Sequence, residues 1–328
     1  MKKSYILLER RNRINNHPKV CIIILNWNGL EDTIECLESL KKISYPNYEV
    51  IVVDNGSEGE DAQVLKEKFG DYIYLIRNDK NYGSTGGNNI GMRYALDNSN
   101  ADYLLLLNND TIVDAQFITE MLKVAETDPT IGIAGARVYY YDDPDRLQPA
   151  GVKISLWTAQ TKGLVEAPMQ RTKRTEVDGG QYDPVREVDW VTGCCFLIKK
   201  RVVENIGFFD ESFFCYWDEP DYCLRAKKAG YKIVYVPRAK LWHKVGAATK
   251  KVTGFGHYYG ARNSFLFMRK HATRWQYRCF LIYFFGVYFW RVTAGCFMHR
   301  RHPRMLFSFY QGIRDGLRHP RTGEGGVI

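Results

Sequence analysis

Apolar and polar positions alternate along this chain in two rhythms. "VCIIIL" (Val20 to Leu25) is a continuous, largely β-branched run, the pattern of a strand covered on both faces. "EDTIECLESLKK" then puts Ile34, Leu37 and Leu40 on one helical face, and "YEVIVVD" gives a second buried strand ending at Asp54. Helix "DAQVLKEKF" and strand "YIYLI" repeat the pair. Glycine-rich "NYGSTGGNNIG" leads into another helix, "DYLLLLNND" is a third strong strand, and "AQFITEMLKVAE" is the helix after it. Such alternation predicts an α/β fold with a mostly parallel central sheet and helices on both faces.

Beyond about Tyr139 the alternation weakens, and the tract from Asp142 to Asp189, polar and punctuated by Pro and Gly, predicts loops and short strands. "VTGCCFLIKK" and "YKIVYVP" resume the strand pattern on either side of "FFCYWDEPDYCLR". Near the end, "CFLIYFFGVYFW" (Cys279 to Trp290) is an apolar run interrupted at Arg291 and resumed by "VTAGCFM". Crossing a bilayer takes about twenty residues. The shorter run therefore predicts an element lying in a membrane interface; the other reading is a helix packed on the body or on a second copy of the chain, as a homo-oligomer.

Charge sharpens this picture. The net charge is +9, yet up to Met268 basic and acidic residues balance at 35 each, and from Arg269 onward eleven Lys and Arg face only Asp315 and Glu324. A balanced body with a basic tail points the tail at an anionic surface, lipid or nucleic acid. Arg269, Lys270, Arg274, Arg278, Arg300, Arg301 and Arg304 surround the apolar run, which favours anionic lipid. With 328 residues, 45% of them hydrophobic, the chain can bury a full core. Eight cysteines without a C-x-x-C pair predict reduced, packed thiols and the cytosol, and the start carries only a four-residue apolar run, so no secretory leader is expected.

In an open parallel sheet, ligands bind beyond the carboxyl ends of the strands. Four polar groups fall at such ends: Asn26 with Asn28, Asp54 with Asn55 and Ser57, Gly83 to Asn89, and Asn108 to Asp110. "NWNGLED" after the first strand excludes a Rossmann fingerprint, and no Walker A loop is present. The glycines at 83, 86, 87 and 91 precede a helix and can cradle phosphate. Asp218, Glu219 and Asp221 stand directly behind Phe213, Phe214, Tyr216 and Trp217. Pro220 suits the first position of a helix, which makes Glu219 its cap and places acids at a positive helix end, an arrangement favoured without any catalysis. Asp221 and Arg225, four apart, can pair in support of the site.

"VVDNGS" (52–57), "NYGSTGGNNIGMRYA" (81–95), "LLLLNNDT" (104–111) and "FFCYWDEPDYCLRAKKAGYKIVYVPRAKLWH" (213–243) together carry a resemblance. The chain resembles family 2 inverting glycosyltransferases, particularly bacterial rhamnosyltransferase-like members and, in "WDEPDY…LWH", galactofuranosyltransferases. The likeness covers roughly Lys19 to Gly246 and implies a GT-A fold, a dTDP- or UDP-sugar donor and a divalent Mg²⁺ or Mn²⁺. It aligns Asp54 with the acid that contacts the base or ribose, and Asp110 with the last acid of the metal-binding D-x-D. Asn108 replaces the first acid of that motif, and His243 matches a metal-side histidine. Glu219 aligns with the catalytic base, where the family usually has Asp, and Asp218 stands beside it. Asn26, Asp54, Asn55, Asn81, Gly86, Gly87, Asn88, Asn108, Trp217, Asp221 and Arg225 become the expected substrate-binding set, the aromatics an acceptor wall.

These readings divide the chain into an N-terminal extension (1–18), a catalytic domain (19–250) and a basic, aromatic helical region (251–328). The expected activity is inverting transfer of a sugar, rhamnose by resemblance, to a glycan or lipid-linked acceptor at the cytoplasmic face of a membrane, in cell-surface polysaccharide synthesis. Two other readings fit parts of the sequence. A catalytically inactive nucleotide-sugar-binding scaffold would explain Asn108, and a nucleic-acid-binding protein would explain the basic tail; Asp110, Glu219 and His243 serve neither.

Overall fold

The computed structural model describes residues 17–148, 151–163, 177–180, 182–245, 253–298 and 303–319. Arg300, Arg301 and nearly all of the N-terminal extension lie outside them.

The apolar runs form strands β1 (Val20–Asn26), β2 (Tyr48–Asp54), β3 (Ile73–Arg77) and β4 (Tyr103–Asn108), all parallel, in the order β3-β2-β1-β4. Helices α1 (Leu30–Leu40), α2 (Asp61–Phe69) and α3 (Gly83–Asn98) make the crossovers. The chain winds from β1 outward to β3 and then returns to β4 on the other side of β1. That reversal opens a crevice at the carboxyl ends of β1 and β4. Register places Asn26 beside Asp54 and Leu25 beside Asn108, so the polar strand ends share one rim.

The sheet continues as β11 (Cys195–Lys199), antiparallel to β4, then β6 (Ile131–Tyr140) and β12 (Lys232–His243). This half is mixed rather than parallel: β12 runs parallel to β6 while β11 opposes it. Short strands β5 (Thr111–Val113), β7 (Asp143–Leu147), β8 (Val152–Ile154), β9 (Thr161–Gly163) and β10 (Arg186–Glu187) fill the edges and the polar tract. Two apolar clusters cover the two sheet faces. One packs Leu37, Phe117 and Met121 beneath α1 and α4 (Phe117–Ala125), and the other packs Met92, Phe196 and Tyr222 beneath α3, α5 (Lys200–Ile206) and α6 (Asp218–Lys228).

After β12 comes a third cluster. Helix α7 (Phe255–His271) packs on α10 (Pro303–Arg318), where a Cβ at Gly312 would lie 2.3 Å from the Tyr258 carbonyl, so glycine permits the close crossing. Between them α8 (Arg274–Tyr283), a π turn (Phe284–Tyr288) and α9 (Phe289–Met298) run as one 25-residue helix, long and apolar enough to cross a membrane by length and composition. The expectation that the apolar run is too short to span is corrected here: Arg291 interrupts the hydropathy but not the helix, because an arginine retains full helix propensity. The basic tail is also partly spent internally. Arg269 donates to the carbonyls of Gly316 and His319 at the end of α10, and Lys270 pairs with Asp210 and Asp221.

Candidate active site

Asp54 ends β2 almost wholly buried, and its Oδ1 accepts from Asn26 Nδ2 at 2.9 Å and from the Ser57 hydroxyl at 2.5 Å. Asn26 also donates to Asp61 and accepts from Thr33, so the amide expected to touch substrate is instead a buried brace that aims Asp54. Asn55 and Asn81 shape the entry to α3. Asn55 Nδ2 donates to Asn81 Oδ1 and the Gly83 carbonyl, both at 3.0 Å, and Asn81 Oδ1 accepts from the Gly83 amide at 2.8 Å.

Packing constrains the glycines of this stretch. A Cβ at Gly87 would stand 2.3 Å from Leu25 Cδ1 and one at Gly91 2.5 Å from Ile23 Cγ2, so these glycines let α3 press onto β1. A Cβ at Gly86 would meet Tyr82 at 2.8 Å, and one at Gly83, where φ is +75°, would strike the Phe214 carbonyl. Close packing of the helix on a strand accounts for Gly87 and Gly91, and contact with Tyr82 and with the Phe214 loop for Gly86 and Gly83. Asn88 lies half-buried on the same helix, while its neighbour Asn89 is fully buried and bridges the Phe209 carbonyl and Glu211.

On the other side of the crevice, the end of β4 and the end of β12 bring Asn108, Asp110 and His243 together. His243 Nε2 lies 3.0 Å from Asp110 Oδ1 and 3.4 Å from Asn108 Nδ2. Gln148 decides the imidazole's orientation. Its Nε2 donates to the carbonyls of Tyr139 and His243, so its Oε1, 3.0 Å from His243 Nδ1, must accept, which puts the ring proton on Nδ1. The Nε2 lone pair of the neutral ring then faces a carboxylate, and only a proton or a cation makes that approach favourable. The residues therefore fit a divalent cation: one carboxylate, one imidazole held by a neighbouring acceptor, and the side-chain amide of the exposed Asn108. Among the described residues no three His, Cys, Asp or Glu side chains cluster, so such an ion would need further oxygens from a ligand.

The acidic helix α6 starts at Asp218, earlier than Pro220 suggested. Pro220 sits in the third helical position, where its missing N–H still costs nothing, and Glu219 is helical rather than an extended cap. Three acids in its first turn and Arg225, Lys227 and Lys228 in its last suit the helix dipole. The preceding loop is unusual. Phe214, Tyr216 and Trp217 all have positive φ, a conformation that costs about 1–2 kcal/mol for each side chain. Trp217, expected in an acceptor wall, turns inward: its ring packs 5.0 Å from Phe267 and its indole N–H donates to the Gly260 carbonyl. Phe213 is core, and Phe214 stacks on Tyr259.

Asp218 is only 4% exposed; Ser84 donates to its Oδ2 at 3.1 Å, and its Oδ1 has no hydrogen-bond partner among the described residues. Burial raises its pKa. Glu219, half-buried, is pushed well above the ordinary carboxylate range, first by burial and then by the Asp218 charge beside it, against a partial pull downward from backbone amides that include Gly193. A carboxylate raised in this way accepts a proton more readily than an ordinary one. Its carboxylate lies against Gly193, where a Cβ would stand 2.0 Å from Oε1. Cys194, the next residue, feels the charges of both Asp110 and Glu219 and hydrogen-bonds through its carbonyl to the Asn108 amide. The cation-competent pair and the raised carboxylate thus both adjoin the Gly193–Cys194 turn that leads into β11.

Asp221 and Arg225 pair as expected, at 2.9 Å, but face the protein interior. Asp221 is fully buried and also meets Lys270 at 2.8 Å and His271 at 2.7 Å, while Arg225 donates to the carbonyls of Ile206 and Phe208. Burial alone would raise Asp221; the His271 hydrogen bond and the charges of Lys270 and Arg225 outweigh it and bring the carboxyl to about 2. Lys228 donates to His271 Nδ1, so the neutral imidazole gives its Nε2 proton to Asp221.

The sheet's topological reversal, the carboxylate–imidazole pair and the raised glutamate together make up the candidate site. The description Glycosyltransferase like family 2 matches residues 17–278, and the chain belongs to that family. It is 27% identical over 316 residues to the low-salt glycan biosynthesis hexosyltransferase Agl10 of Haloferax volcanii, covering 92% of each chain. It is 26% identical to the dTDP-rhamnosyl transferase RfbF of Shigella flexneri, over 78% of this chain and 81% of that one. The fold is similar to that of the mannosyltransferase PcManGT of Pyrobaculum calidifontis, solved with GDP-Man and Mn²⁺, at a TM-score of 0.55 and 14% identity over 93% of this chain and 88% of that one. The protein is a glycosyltransferase with the GT-A fold.

Proposed function

We propose that the protein moves a hexose or deoxyhexose from a nucleoside-diphosphate donor to a glycan or lipid-linked acceptor, with inversion, at the surface of a membrane. The observation that carries this reading is that Glu219 lies against Gly193 while the Asp110–His243 pair lies beside Asn108, whose backbone amide donates to the carbonyl of Cys194, the next residue. Inversion needs one base on the acceptor side of the anomeric carbon, and Glu219 supplies it by taking the hydroxyl proton as the C–O bond forms. Asp218 keeps that base strong by its charge. Asp110, His243 and Asn108 would hold a divalent ion, and the chemistry it supplies is neutralisation of the departing diphosphate. Asp54, braced by Asn26 and Ser57, stands at the base-binding end of the crevice. A dTDP-sugar, rhamnose in particular, is favoured by the likeness to RfbF.

The membrane part rests on α8 and α9. One face of this helix packs on the body through Phe280 and Phe284 against Phe265, and through Phe289 against Phe309. The other face exposes Trp275, Ile282, Trp290 and Phe297. A helix bound along one side to the catalytic body is suited to lie in an interface rather than to leave the body and cross. Arg274, Arg278 and Arg304 then meet anionic headgroups on the cytoplasmic side.

The test is nucleoside-diphosphate release from a panel of nucleotide sugars, with and without chelator, using a membrane lipid extract as acceptor source. Release with one donor, abolished by chelator and lowered by about a hundredfold or more in Glu219→Gln while diphosphate binding is kept, is the expected result. Unchanged turnover of Glu219→Gln would return Glu219 to a purely structural role.

A further inference from the structure

Asn263 is fully buried in α7, amid the apolar "SFLFM" that follows it. A buried carboxamide is costly unless every polar atom is satisfied, and the acceptors of this one's amide hydrogens all lie about fifty residues away. Its Nδ2 donates to the carbonyls of Phe213 at 2.8 Å, Cys215 at 2.7 Å and Tyr216 at 2.9 Å. Its Oδ1 accepts from Arg262 Nη1 at 2.8 Å, which also donates to the Ser212 carbonyl at 2.9 Å.

These carbonyls belong to the loop whose Phe214, Tyr216 and Trp217 are left-handed. The Phe213 carbonyl also accepts from the Cys215 amide, at 2.7 Å, across the turn, and Asn263 adds a donor from outside the loop. A carboxamide can direct two N–H groups from a single atom into such a cluster, which a hydroxyl cannot. The loop ends at Trp217, and Asp218 and Glu219 come next. Seven and eight residues after Asn263, on the same face of α7, Lys270 and His271 hold Asp221. Helix α7 therefore fixes the backbone just before Glu219 and the side chain just after it.

We propose that Asn263 is a positioning residue for sugar transfer, holding the left-handed loop 213–217 so that the Glu219 carboxylate stands against Gly193 at the mouth of the crevice. The inference rests on the reading of Glu219 as the base. It makes α7, a helix outside the sheet, a working part of the active site, and it accounts for a strained loop that the fold alone does not require.

The experiment uses the full chain with Asn263→Ala and with Asn263→Asp, which keeps the shape but loses the amide donors. Amide hydrogen exchange is followed by peptide, UDP and dTDP binding is titrated with Mn²⁺, and turnover is measured with the donor that the wild-type chain uses. Both variants should exchange faster in peptides spanning 212–222 with the strands of the sheet unchanged. They should bind the diphosphates as the wild type does and lose about tenfold to a hundredfold in kcat. Exchange and turnover equal to wild type would overturn the proposal. So would faster exchange throughout the sheet, or a parallel loss of diphosphate affinity, since either makes Asn263 a support of the whole fold. A normal Glu219→Gln turnover would remove the base reading, whereas the exchange result tests the loop without any activity.

Discussion

Gly193→Ala probes the site at its tightest point. Gly193 is outside the left-handed region, so alanine adds no backbone strain, but its Cβ would stand 2.0 Å from Glu219 Oε1 and 2.9 Å from Cδ. Real contacts do not fall below 3.0 Å, so something must retreat by about 1 Å. The carboxylate end is the softer partner, because Gly193 is fixed in the strand approach to β11 while Glu219 turns about its side-chain torsions. A misplacement of about 1 Å in a reacting group costs on the order of a hundredfold in rate. The expected result is therefore a kcat lowered by about that factor, with diphosphate and Mn²⁺ binding and the melting temperature close to wild type. Stopped diphosphate-release assays, calorimetric titration with UDP and dTDP, and a thermal melt read the three quantities. Wild-type kcat would show that the reaction does not depend on where this carboxylate stands. Equal losses in binding and rate would show that the strand moved instead, which also refutes the argument.

In Asp218→Asn the acid limb of the kcat/KM profile should move to lower pH. Burial first, and then the Asp218 charge, hold Glu219 well above the usual 4.5, and the base works only when ionised, so activity falls as pH drops through the raised value; a limb that stays in place would remove Asp218 from that role. The stability sign is the reverse of an ordinary ion pair: both pKa values are raised, so their favourable contribution is present below the ordinary 3.8 and 4.5 and fades as pH rises through the folded values. For the membrane face, Trp290→Glu and Phe297→Glu, at side chains 62% and 72% exposed, should abolish co-sedimentation with phosphatidylglycerol vesicles, and high salt should partly release the intact chain. Equal sedimentation with neutral lipid at every salt concentration would exclude the electrostatic contribution. Point substitutions serve better than truncation after His271, which would also strip α10 from α7.

The strands and most helices were legible because a buried strand must be an unbroken apolar run and an amphipathic helix must repeat near every third or fourth residue, and both are local properties. Asp54, Asp110 and Glu219 were legible as candidates for the same reason, since each polar group stands directly where an apolar run stops or an aromatic run breaks. Gln148 and Asn263 were not. Their partners lie 95 and about fifty residues away, so nothing in the neighbouring sequence shows that one fixes the His243 tautomer or that the other gathers three carbonyls. The only local signal was a carboxamide inside an apolar helix. Glycines are ambiguous in the same way: Gly86 and Gly87 read alike whether a phosphate or Leu25 and Tyr82 lies opposite, and only the packed neighbour decides. Tertiary structure also decided where the charges went. Composition counted Arg269 and Lys270 toward an anionic surface, but folding turned them onto helix carbonyls and buried carboxylates, because a cation is held more strongly by a fixed partner at low dielectric than by water at the surface.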